Sequence, residues 1–368
     1  MRAAVLREVG RPMAIEEVTL AEPRPGEARV RIVGTGVCHS DYHVIKGEWA
    51  SPLPIVLGHE ASGVVEAVGA GVTQARPGDH VVLSFAPNCG QCADCVAGQP
   101  HLCSAYLAVP GGGLLDGTSR LARGGETIAM FGKMASFAEY AVVAGASLIP
   151  IRRDVPLAKA ALVGCAVMTG VGAALNTARI EAGSTVLVVG CGGVGLNCIQ
   201  GARLASAARI IAVDIADDKL AFAGRFGATD VINSRRDDPV AAARELTHGR
   251  GVDYALEAIG LKATIEQCYH AVRRGGTAVV VGMAADGVEA AIPARALAGQ
   301  EKTLRGCFYG STRPRIDMPR LLDFYLDGRL LLDELVTRTY PLERINEAFD
   351  DLGRGCVGRG LLLPHGDA

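Results

Sequence analysis

The sequence predicts an α/β protein in which a parallel-sheet domain is inserted into a mostly β domain. From residue 185 onward, short β-branched runs alternate with helix-like stretches, which is the pattern of βαβ units. The first 150 residues instead contain short alternating strands broken by Gly- and Pro-rich turns. At 368 residues the chain also exceeds the usual size of a single hydrophobic core, so we expect two domains.

Composition and charge narrow the class further. Hydrophobic residues make up 49% of the chain and glycine occurs 47 times, which is typical of a globular α/β protein and not of a disordered one. The formal net charge is −2 without blocks of like charge, so neither nucleic acid nor a membrane is an expected partner. The start of the sequence has no apolar segment of the kind found in a secretory signal, and no later apolar run approaches the length of a membrane span. We therefore expect a soluble, cytoplasmic protein whose 11 cysteines are thiols or metal ligands.

The two ends of the chain surround the αβ array. Strands are predicted at ARVRIVGTGV, ASGVVEAVG and DHVVL near the N-terminus. The C-terminal segment has an amphipathic helix at DMPRLLDFYLDGRL, a second around LERINEAFDDL, and a strand at RGLLL. Because the αβ array differs from both ends, we expect a discontinuous domain of residues 1–166 and 309–368 and an inserted domain of residues 167–308.

In the inserted domain, strands are predicted at TVLVV, ARIIAVD, TDVIN, VDYALEAI and GGTAVVVG. Helices are predicted between them, for example at DDKLAFAGRF and KATIEQCYHAVRR. Strands that alternate with helices of this length form a parallel sheet.

A glycine loop follows the strand TVLVV. Its sequence, GCGGVG, fits G-x-G-x-x-G, and its residues are Gly190, Gly192, Gly193, Val194 and Gly195. Such glycines allow a tight turn and a close approach of the backbone to a pyrophosphate at the helix N-terminus. Asp214 ends the next strand, about 20 residues further on, where a carboxylate accepts hydrogen bonds from the adenosine ribose and repels a 2′-phosphate. The sequence thus predicts a doubly wound Rossmann domain that binds NAD in preference to NADP.

Four cysteines crowd the segment CGQCADCVAGQPHLC. They are Cys89, Cys92, Cys95 and Cys103, in a lobe that we place at residues 86–106. Four thiolates form a closed tetrahedral zinc site, which leaves no position for substrate and stabilises its loop. A redox disulfide pair is one alternative. An iron–sulfur cluster is the stronger alternative, because it also takes four thiolates.

A second, dispersed set of metal ligands occurs in GVCHSDYH, PIVLGHE and GCAVMTG. These segments contain Cys38, His59 and Cys165. A catalytic zinc needs three protein ligands of this kind and an open fourth position. Taken singly, each residue would more often be a buried thiol or a structural histidine, so the prediction depends on the complete set.

The motifs GVCHSD, GHEASGVVEAVG, the four-cysteine lobe, GCAVMTG and VVGCGGVG occur in the order and spacing of the zinc-dependent medium-chain alcohol dehydrogenases. The chain resembles that family over essentially its whole length, and the segment GGGLLDGTSRLARGGETIAMFGKMASFAEY looks like the insertion of its class I and class III members. The resemblance implies a GroES-like catalytic domain and a Rossmann coenzyme domain. It also implies two Zn²⁺ ions per chain, a catalytic one on Cys38, His59 and Cys165 and a structural one in the lobe.

The resemblance further implies reversible oxidation of an alcohol to an aldehyde with NAD. Zinc lowers the pKa of the alcohol. Ser40 would accept the alcohol proton and pass it through the cofactor ribose to His43, which exchanges it with water. Asp41 would orient His59. Glu60 would either take part in ligand exchange at the metal or balance the local charge.

Other positions are assigned by the resemblance alone. His39 and Arg359 would contact the cofactor pyrophosphate, Lys219 the adenosine ribose, and Thr169 the cofactor. For the three charged residues, a solvated surface charge is the alternative.

The substrate pocket would be apolar. Trp49 and Phe85 match pocket-lining positions of the family, and Met130 or Phe131 would add to them. Such walls favour primary alcohols with apolar or aromatic substituents. For Phe85 and Phe131, a role in the hydrophobic core is the alternative.

Other functions are less expected. Class III enzymes bind a glutathione–formaldehyde adduct with an arginine where this chain has Leu107, and the acidic pair expected near Glu48 and Trp49 is incomplete. A formaldehyde dehydrogenase acting on another thiol adduct is therefore the alternative. A non-catalytic nucleotide-binding protein and a zinc-free quinone reductase are disfavoured, since every zinc ligand and relay group is present. The segment TLRGCFYGS resembles the edge strand through which family members pair, so we expect a homodimer or homotetramer.

Overall fold

A computed structural model describes residues 1–356 and 358–366. Its internal contacts divide the chain into two units. The first comprises Met1–Cys165 with Arg313–Ala368, and the second comprises Ala166–Thr312.

In chain order, the strands of the described residues are β1 (Arg2–Leu6), β2 (Ala14–Glu17), β3 (Thr19–Leu20), β4 (Glu27–Gly36), β5 (Ile55–Val56), β6 (Ala61–Val68), β7 (His80–Leu83), β8 (Leu121–Arg123), β9 (Glu126–Met130), β10 (Tyr140–Ala144), β11 (Leu148–Pro150), β12 (Thr185–Val189), β13 (Arg209–Asp214), β14 (Asp230–Asn233), β15 (Val252–Glu257), β16 (Val272–Val280), β17 (Thr303–Gly306), β18 (Val336–Pro341) and β19 (Arg359–Leu363).

The α-helices are α1 (His39–Ile45), α2 (Ala93–Val96), α3 (Ser104–Leu107), α4 (Leu157–Ala160), α5 (Ala166–Gly172), α6 (Gly193–Leu204), α7 (Asp217–Phe226), α8 (Pro239–Leu246), α9 (Lys262–Ala271), α10 (Ala294–Gly299), α11 (Pro314–Leu326) and α12 (Ile345–Gly353). Short 3-10 helices occur at Pro100–Leu102, Phe131–Lys133, Gly145–Ser147, Ala161–Gly164, Tyr309–Ser311 and Leu342–Arg344, and a π-helix at Ala173–Ala178.

The first unit is mostly β. One sheet has the order β2-β1-β5-β9-β8-β3, and a second has the order β11-β7-β6-β4-β19-β18, with β10 paired to β4. In β4, buried and half-buried residues alternate through the middle of the strand, as expected when one face of a sheet packs on a core. The C-terminal strand β19 pairs with β4, so the two ends of the chain share one sheet.

The second unit is a parallel sheet with the order β14-β13-β12-β15-β16-β17. The strand order reverses at β12, which is the order of a doubly wound dinucleotide-binding sheet. The central strand β12 is buried over four of its five residues because such a sheet is covered on both faces. These two units confirm the predicted α/β class, with a mostly β part and a Rossmann-like part.

Predicted and observed elements differ mainly at their ends. α7 and β19 match the predicted segments DDKLAFAGRF and RGLLL residue for residue. The prediction that KATIEQCYHAVRR is helical throughout is wrong over its last three residues, because α9 ends at Ala271 and Val272 begins β16. α11 begins three residues before the predicted segment, where Pro314 takes the first helical position, and ends at Leu326. Gly328, with φ 69°, then turns the chain in the left-handed conformation.

Among the described residues, no single helix is long and apolar enough to cross a membrane, although one bent pair, Leu157–Gly164 with Ala166–Ala178, passes the same test of length and composition.

Candidate metal centres and coenzyme loop

Three predicted metal ligands converge in the first unit. Cys38 stands between β4 and α1, His59 lies between β5 and β6, and Cys165 follows the 3-10 helix Ala161–Gly164. All three are buried, and their ligand atoms lie within 4.8 Å of one another. Nε2 of His59 is 3.3 Å from Sγ of Cys165. The fold therefore gathers two thiols and one imidazole that the sequence separates widely.

Asp41 determines how His59 faces the thiols. The Asp41 side chain is fully buried, and its Oδ1 accepts hydrogen bonds from Nδ1 of His59 at 3.2 Å and from the backbone N–H of Gly58 at 2.9 Å. With Nδ1 donating to the carboxylate, Nε2 keeps its lone pair and points toward the cysteines. This is the arrangement predicted for Asp41 and the one that a metal-ligating histidine requires.

The chemistry of these three side chains fits a zinc ion. The hydrogen bond with Cys165, followed by the charge of His59, holds the pKa of Cys38 well below that of an ordinary thiol in spite of burial. A thiolate is the form that binds metal. Sulfur ligands about 2.3 Å from a tetrahedral zinc stand about 3.8 Å apart, and the separations in this cluster are compatible with that geometry.

Glu60 and Arg359 form an ion pair beside the three ligands. The side chain of Glu60 is 0% exposed and that of Arg359 is 4% exposed, and the guanidinium donates from Nη2 to Glu60 Oε2. A Cβ atom on Gly36 would lie 2.3 Å from that same Oε2, so only glycine leaves room for the pair. The solvated-charge alternative is therefore wrong for Arg359. Glu60 takes part in charge balance through this pair.

The four-cysteine lobe also brings its thiols together. The four Sγ atoms lie within 4.8 Å of one another, and those of Cys92 and Cys103 are 3.9 Å apart. A hydrogen bond with Ser104, the largest influence, lowers the pKa of Cys92 to about 5. Four convergent thiols, one of them easily ionised, fit a closed metal site and not a single redox pair. An iron–sulfur cluster takes the same four ligands.

Comparisons with known proteins identify the family of this chain. A family model described as "Alcohol dehydrogenase GroES-like domain" matches residues 24–153, and one described as "Zinc-binding dehydrogenase" matches residues 193–327. An NDMA-dependent alcohol dehydrogenase of Amycolatopsis methanolica is 40% identical over 369 residues, covering 100% of this chain and 99% of that protein. The chain belongs to the zinc-dependent medium-chain alcohol dehydrogenase family.

Solved structures of the same family resemble this dehydrogenase closely. An alcohol dehydrogenase zinc-binding domain protein from Burkholderia ambifaria is 41% identical and covers 99% of both chains, with a TM-score of 0.94. Benzyl alcohol dehydrogenase from Acinetobacter calcoaceticus is 35% identical and covers 98% of both chains, with a TM-score of 0.93. The mostly β unit of this dehydrogenase is thus GroES-like and its parallel-sheet unit Rossmann-like, as the sequence predicted.

The glycine loop of the dehydrogenase connects β12 to α6, with Val194 within the first turn of α6. Gly190 has φ 96°, in the left-handed region, and a Cβ atom there would lie 2.5 Å from Ile259 Cγ1. A Cβ on Gly195 would lie 1.7 Å from the Gly190 carbonyl oxygen, whereas nothing lies within 4 Å of one on Gly192. Gly190 is required for the turn and Gly195 for helix packing, while Gly192 leaves the backbone open to a pyrophosphate. The loop therefore fits a dinucleotide.

Asp214 ends β13 next to this loop. Its Oδ2 accepts from the Cys191 N–H at 2.8 Å, and its Oδ1 accepts from the N–H groups of Ile215 and Ala216 at 2.8 and 3.2 Å. The carboxylate is thus held by backbone donors at the carboxyl end of its strand. Lys219 is half-buried in the first turn of α7, and Thr169 is half-buried in α5.

The predicted relay residues lie on α1. The Ser40 Oγ is 3.8 Å from the Cys38 Sγ, so the hydroxyl lies beside the candidate catalytic cluster. His43, one turn further on, pairs with Glu48 and stacks on the Trp49 ring. His39 begins α1, is exposed, and packs edge-on against Tyr42.

Two of the predicted pocket residues contact His59. The rings of Phe85 and Phe131 meet the imidazole edge-on, with centroids 5.5 and 5.6 Å away. Met130 is 1% exposed and belongs to the core cluster on which Phe131 packs, whereas Phe85 packs on a second cluster. The two phenylalanines therefore give the candidate metal centre an apolar wall, while Met130 packs in the interior.

Sequence reasoning missed two partners in the site. It considered Glu48 only as part of an incomplete acidic pair and did not link Glu60 to Arg359. An acidic residue five positions after His43 is a weak signal, because such pairs are common on surfaces. The Glu60 pair joins residues 299 positions apart, and no local pattern indicates it.

Proposed function

We propose that this dehydrogenase oxidises primary alcohols with apolar or aromatic substituents to aldehydes, reversibly, with zinc on Cys38, His59 and Cys165 and with NAD as the coenzyme. The observation that carries the proposal is the buried cluster of two thiols and an imidazole, with Asp41 orienting the imidazole. When bound, zinc supplies a Lewis acid for the alcohol oxygen and the nicotinamide supplies a hydride acceptor.

The residues of the chain supply binding and proton transfer. Ser40, beside the cluster, is placed to take the proton of a substrate hydroxyl, and His43 is placed to exchange a proton with water. Phe85 and Phe131 limit the water around His59 and offer an apolar surface to the substrate. The name of the Acinetobacter relative, benzyl alcohol dehydrogenase, supports an aromatic substrate.

We assign NAD to the glycine loop and Asp214. The loop leaves the backbone of Gly192 open, and a carboxylate held at the end of β13 disfavours a 2′-phosphate. A second Zn²⁺ ion is assigned to the four-cysteine lobe, with a structural role. Eleven reduced cysteines suit the cytoplasm.

A second candidate function comes from the Amycolatopsis relative, whose name describes it as NDMA-dependent. Under this alternative, alcohol oxidation by the present chain depends on NDMA instead of free NAD. An assay of benzyl alcohol oxidation with NAD alone, with NDMA alone and with both compounds distinguishes this alternative from the main proposal. Turnover with NAD alone supports the main proposal, and turnover that appears only with NDMA supports the alternative.

A thiol-adduct formaldehyde dehydrogenase is the remaining enzymatic alternative. Leu107 stands at the position where class III enzymes have an arginine. It is 55% exposed and has no positive charge that could bind a carboxylate of the glutathione adduct. We therefore expect benzyl alcohol or hexanol to be oxidised more efficiently than formaldehyde with glutathione. Higher efficiency with formaldehyde and glutathione would contradict the substrate class.

The test of the main proposal compares two cysteine variants by zinc analysis and NAD-linked benzyl alcohol oxidation. The wild-type protein should contain two zinc ions per chain. Cys38→Ser should lose about one zinc and nearly all turnover, while Cys92→Ser should lose the other zinc and mainly stability. A reversed pattern would exchange the two sites. Metal-replete wild-type protein without alcohol oxidation would refute the function.

We also propose a homodimer, or a homotetramer built from such dimers. β17 is the last strand of the parallel sheet, and all four of its residues are exposed. An exposed edge strand presents unpaired N–H and C=O groups that a second copy of the sheet can satisfy.

A further inference from the structure

The imidazole of His43 is held from two directions by the segment that follows its helix. Nδ1 of His43 lies 2.5 Å from Oε2 of Glu48. The ring stacks on the Trp49 indole with centroids 4.7 Å apart and planes inclined by 24°. The backbone N–H groups of Glu48 and Trp49 both donate to the His43 carbonyl, at 2.8 and 3.3 Å. The segment thus folds back on the histidine.

Glu48 can act on His43 only as a hydrogen-bond acceptor. Hydrogen bonds from Lys46 and then from His43 hold the pKa of Glu48 below its usual value, so the carboxylate is ionised at neutral pH. Lys46 Nζ lies 2.5 Å from Oε1, which leaves Oε2 for the histidine. Because an ionised carboxylate has no hydrogen to donate, Nδ1 of His43 carries the hydrogen, and in the neutral ring the lone pair is therefore on Nε2.

We propose that Glu48 and Trp49 are positioning residues that hold His43 as a proton acceptor, with the hydrogen on Nδ1 and the lone pair on Nε2. The proposal rests on the function assigned above, in which His43 exchanges the substrate proton with water. When Nε2 takes up a proton, the Glu48 carboxylate stabilises the imidazolium. Transfer of that proton to water restores the neutral ring.

Glu48 is the titratable side chain that pairs with His43, and Lys46 pairs with Glu48. The titratable neighbours on its helix contact other groups: His39 meets the ring of Tyr42, and Asp41 pairs with His59. Contacts from other elements include Val9 at Gly47, and Phe349 and Gly353 at Tyr42, and these three do not titrate. Glu48 is therefore the group whose removal should change the behaviour of His43 most.

Trp49 provides a test that does not depend on turnover. It is the single tryptophan of the chain, so the intrinsic indole emission reports on the ring stacked over it. In Glu48→Gln we expect the emission at neutral pH to differ from that of wild type, because the amide no longer offers an ionised acceptor that holds the imidazole over the indole. In Lys46→Gln, which removes the other partner of the same carboxylate, the emission should stay as in wild type.

Turnover of the zinc- and NAD-loaded enzyme completes the test. Near neutral pH, Glu48→Gln should lower kcat about tenfold and leave KM unchanged, and added imidazole should restore most of the loss by accepting the proton from solution. An unchanged Trp49 emission in Glu48→Gln, or a loss of kcat that imidazole does not restore, would overturn the proposal. If the emission differs as expected but the wild-type protein oxidises no alcohol, the assigned function is refuted instead.

Discussion

A single side chain, Asp214, has two tasks under the proposed function. Its carboxylate accepts hydrogen bonds from the backbone N–H groups of Cys191, Ile215 and Ala216. It therefore organises the turn around the glycine loop. It is only 9% exposed, so its carboxylate has little freedom to move away from a 2′-phosphate. Coenzyme choice and loop geometry thus depend on the same residue.

Replacement of Asp214 should change coenzyme preference. In Asp214→Gly we expect the ratio of kcat/KM for NAD to that for NADP to fall by about tenfold or more, since a charge-assisted hydrogen bond of about 1.5–3 kcal/mol is lost and a repulsion is removed. Steady-state kinetics with both coenzymes gives the ratio. Asp214→Asn, which keeps the size of the side chain, is the control for loss of loop structure. An unchanged ratio in the glycine variant would remove Asp214 from the coenzyme site.

Glu16 makes stability depend on pH. It is 7% exposed, and its carboxylate oxygens accept hydrogen bonds from two guanidinium groups. The nitrogen–oxygen distances are 2.6 and 2.8 Å to Arg7 and 2.7 Å to Arg123. The hydrogen bonds from Arg7, the largest influence, hold the pKa of Glu16 below its usual value. The folded protein therefore binds this proton at lower pH than the unfolded chain does. The stability that Glu16 contributes is present at neutral pH and is lost as the pH falls below about 4.5 through the lower folded value.

The comparison of Glu16→Gln with Glu17→Gln tests this dependence. Glu17 lies next along β2, but its side chain is 82% exposed. In urea unfolding at pH 7 and near pH 4, we expect Glu16→Gln to be less stable than wild type at pH 7 by about 1.5–3 kcal/mol and to lose less stability on acidification. Glu17→Gln should follow wild type. Equal pH dependence in wild type and Glu16→Gln would contradict the assignment.

At the scale of elements, the four-cysteine lobe lacks a core of its own. Its helices are the short α2, the 3-10 helix Pro100–Leu102 and α3, and neither α2 nor α3 has a buried residue. Val96 is 75% exposed. A segment that buries so little apolar surface needs another source of free energy to stay ordered, and metal binding can supply it.

Loss of the metal should therefore unfold the lobe locally. In Cys92→Ser, or after treatment with a strong chelator, we expect the backbone amides of residues 89–108 to lose protection from hydrogen exchange, while those of β12 keep theirs. The control is Cys356→Ser, which replaces an exposed cysteine outside both clusters. It should leave the hydrogen-exchange protection of the lobe and of β12 unchanged. Unchanged protection of the lobe in metal-free Cys92→Ser would mean that packing alone orders it.

At the scale of the whole molecule, the two edges of the parallel sheet differ in their expected roles. β17 at one edge carries Leu304, which is 37% exposed, and β14 at the other carries Val231, which is 53% exposed. By light scattering, we expect a mass of two or four times 38.2 kDa. Leu304→Glu should shift this mass toward that of the monomer, because it puts a charge into the proposed contact, and Val231→Glu should leave it unchanged. A monomeric wild-type protein, or dissociation by Val231→Glu alone, would refute pairing through β17.

Much of the fold could be predicted from local patterns. The strand and helix segments of the parallel-sheet unit follow from β-branched runs, helical periodicity and the glycine loop, each of which lies within a few consecutive residues. Errors occurred at boundaries, such as the end of α9 at Ala271, where the following residues pair with a neighbouring strand. Strand pairing of this kind overrides local helix preference.

The sequence by itself determined the ligand types, the spacing of the four-cysteine lobe and the backbone requirement at Gly190, because each is a property of a short segment. Only the tertiary structure decided which distant side chains meet. His59 and Cys165 are 106 positions apart, and Glu60 and Arg359 are 299 apart, yet each pair is in contact and buried. A buried charge is tolerated only where packing brings it a partner, and packing depends on the whole chain.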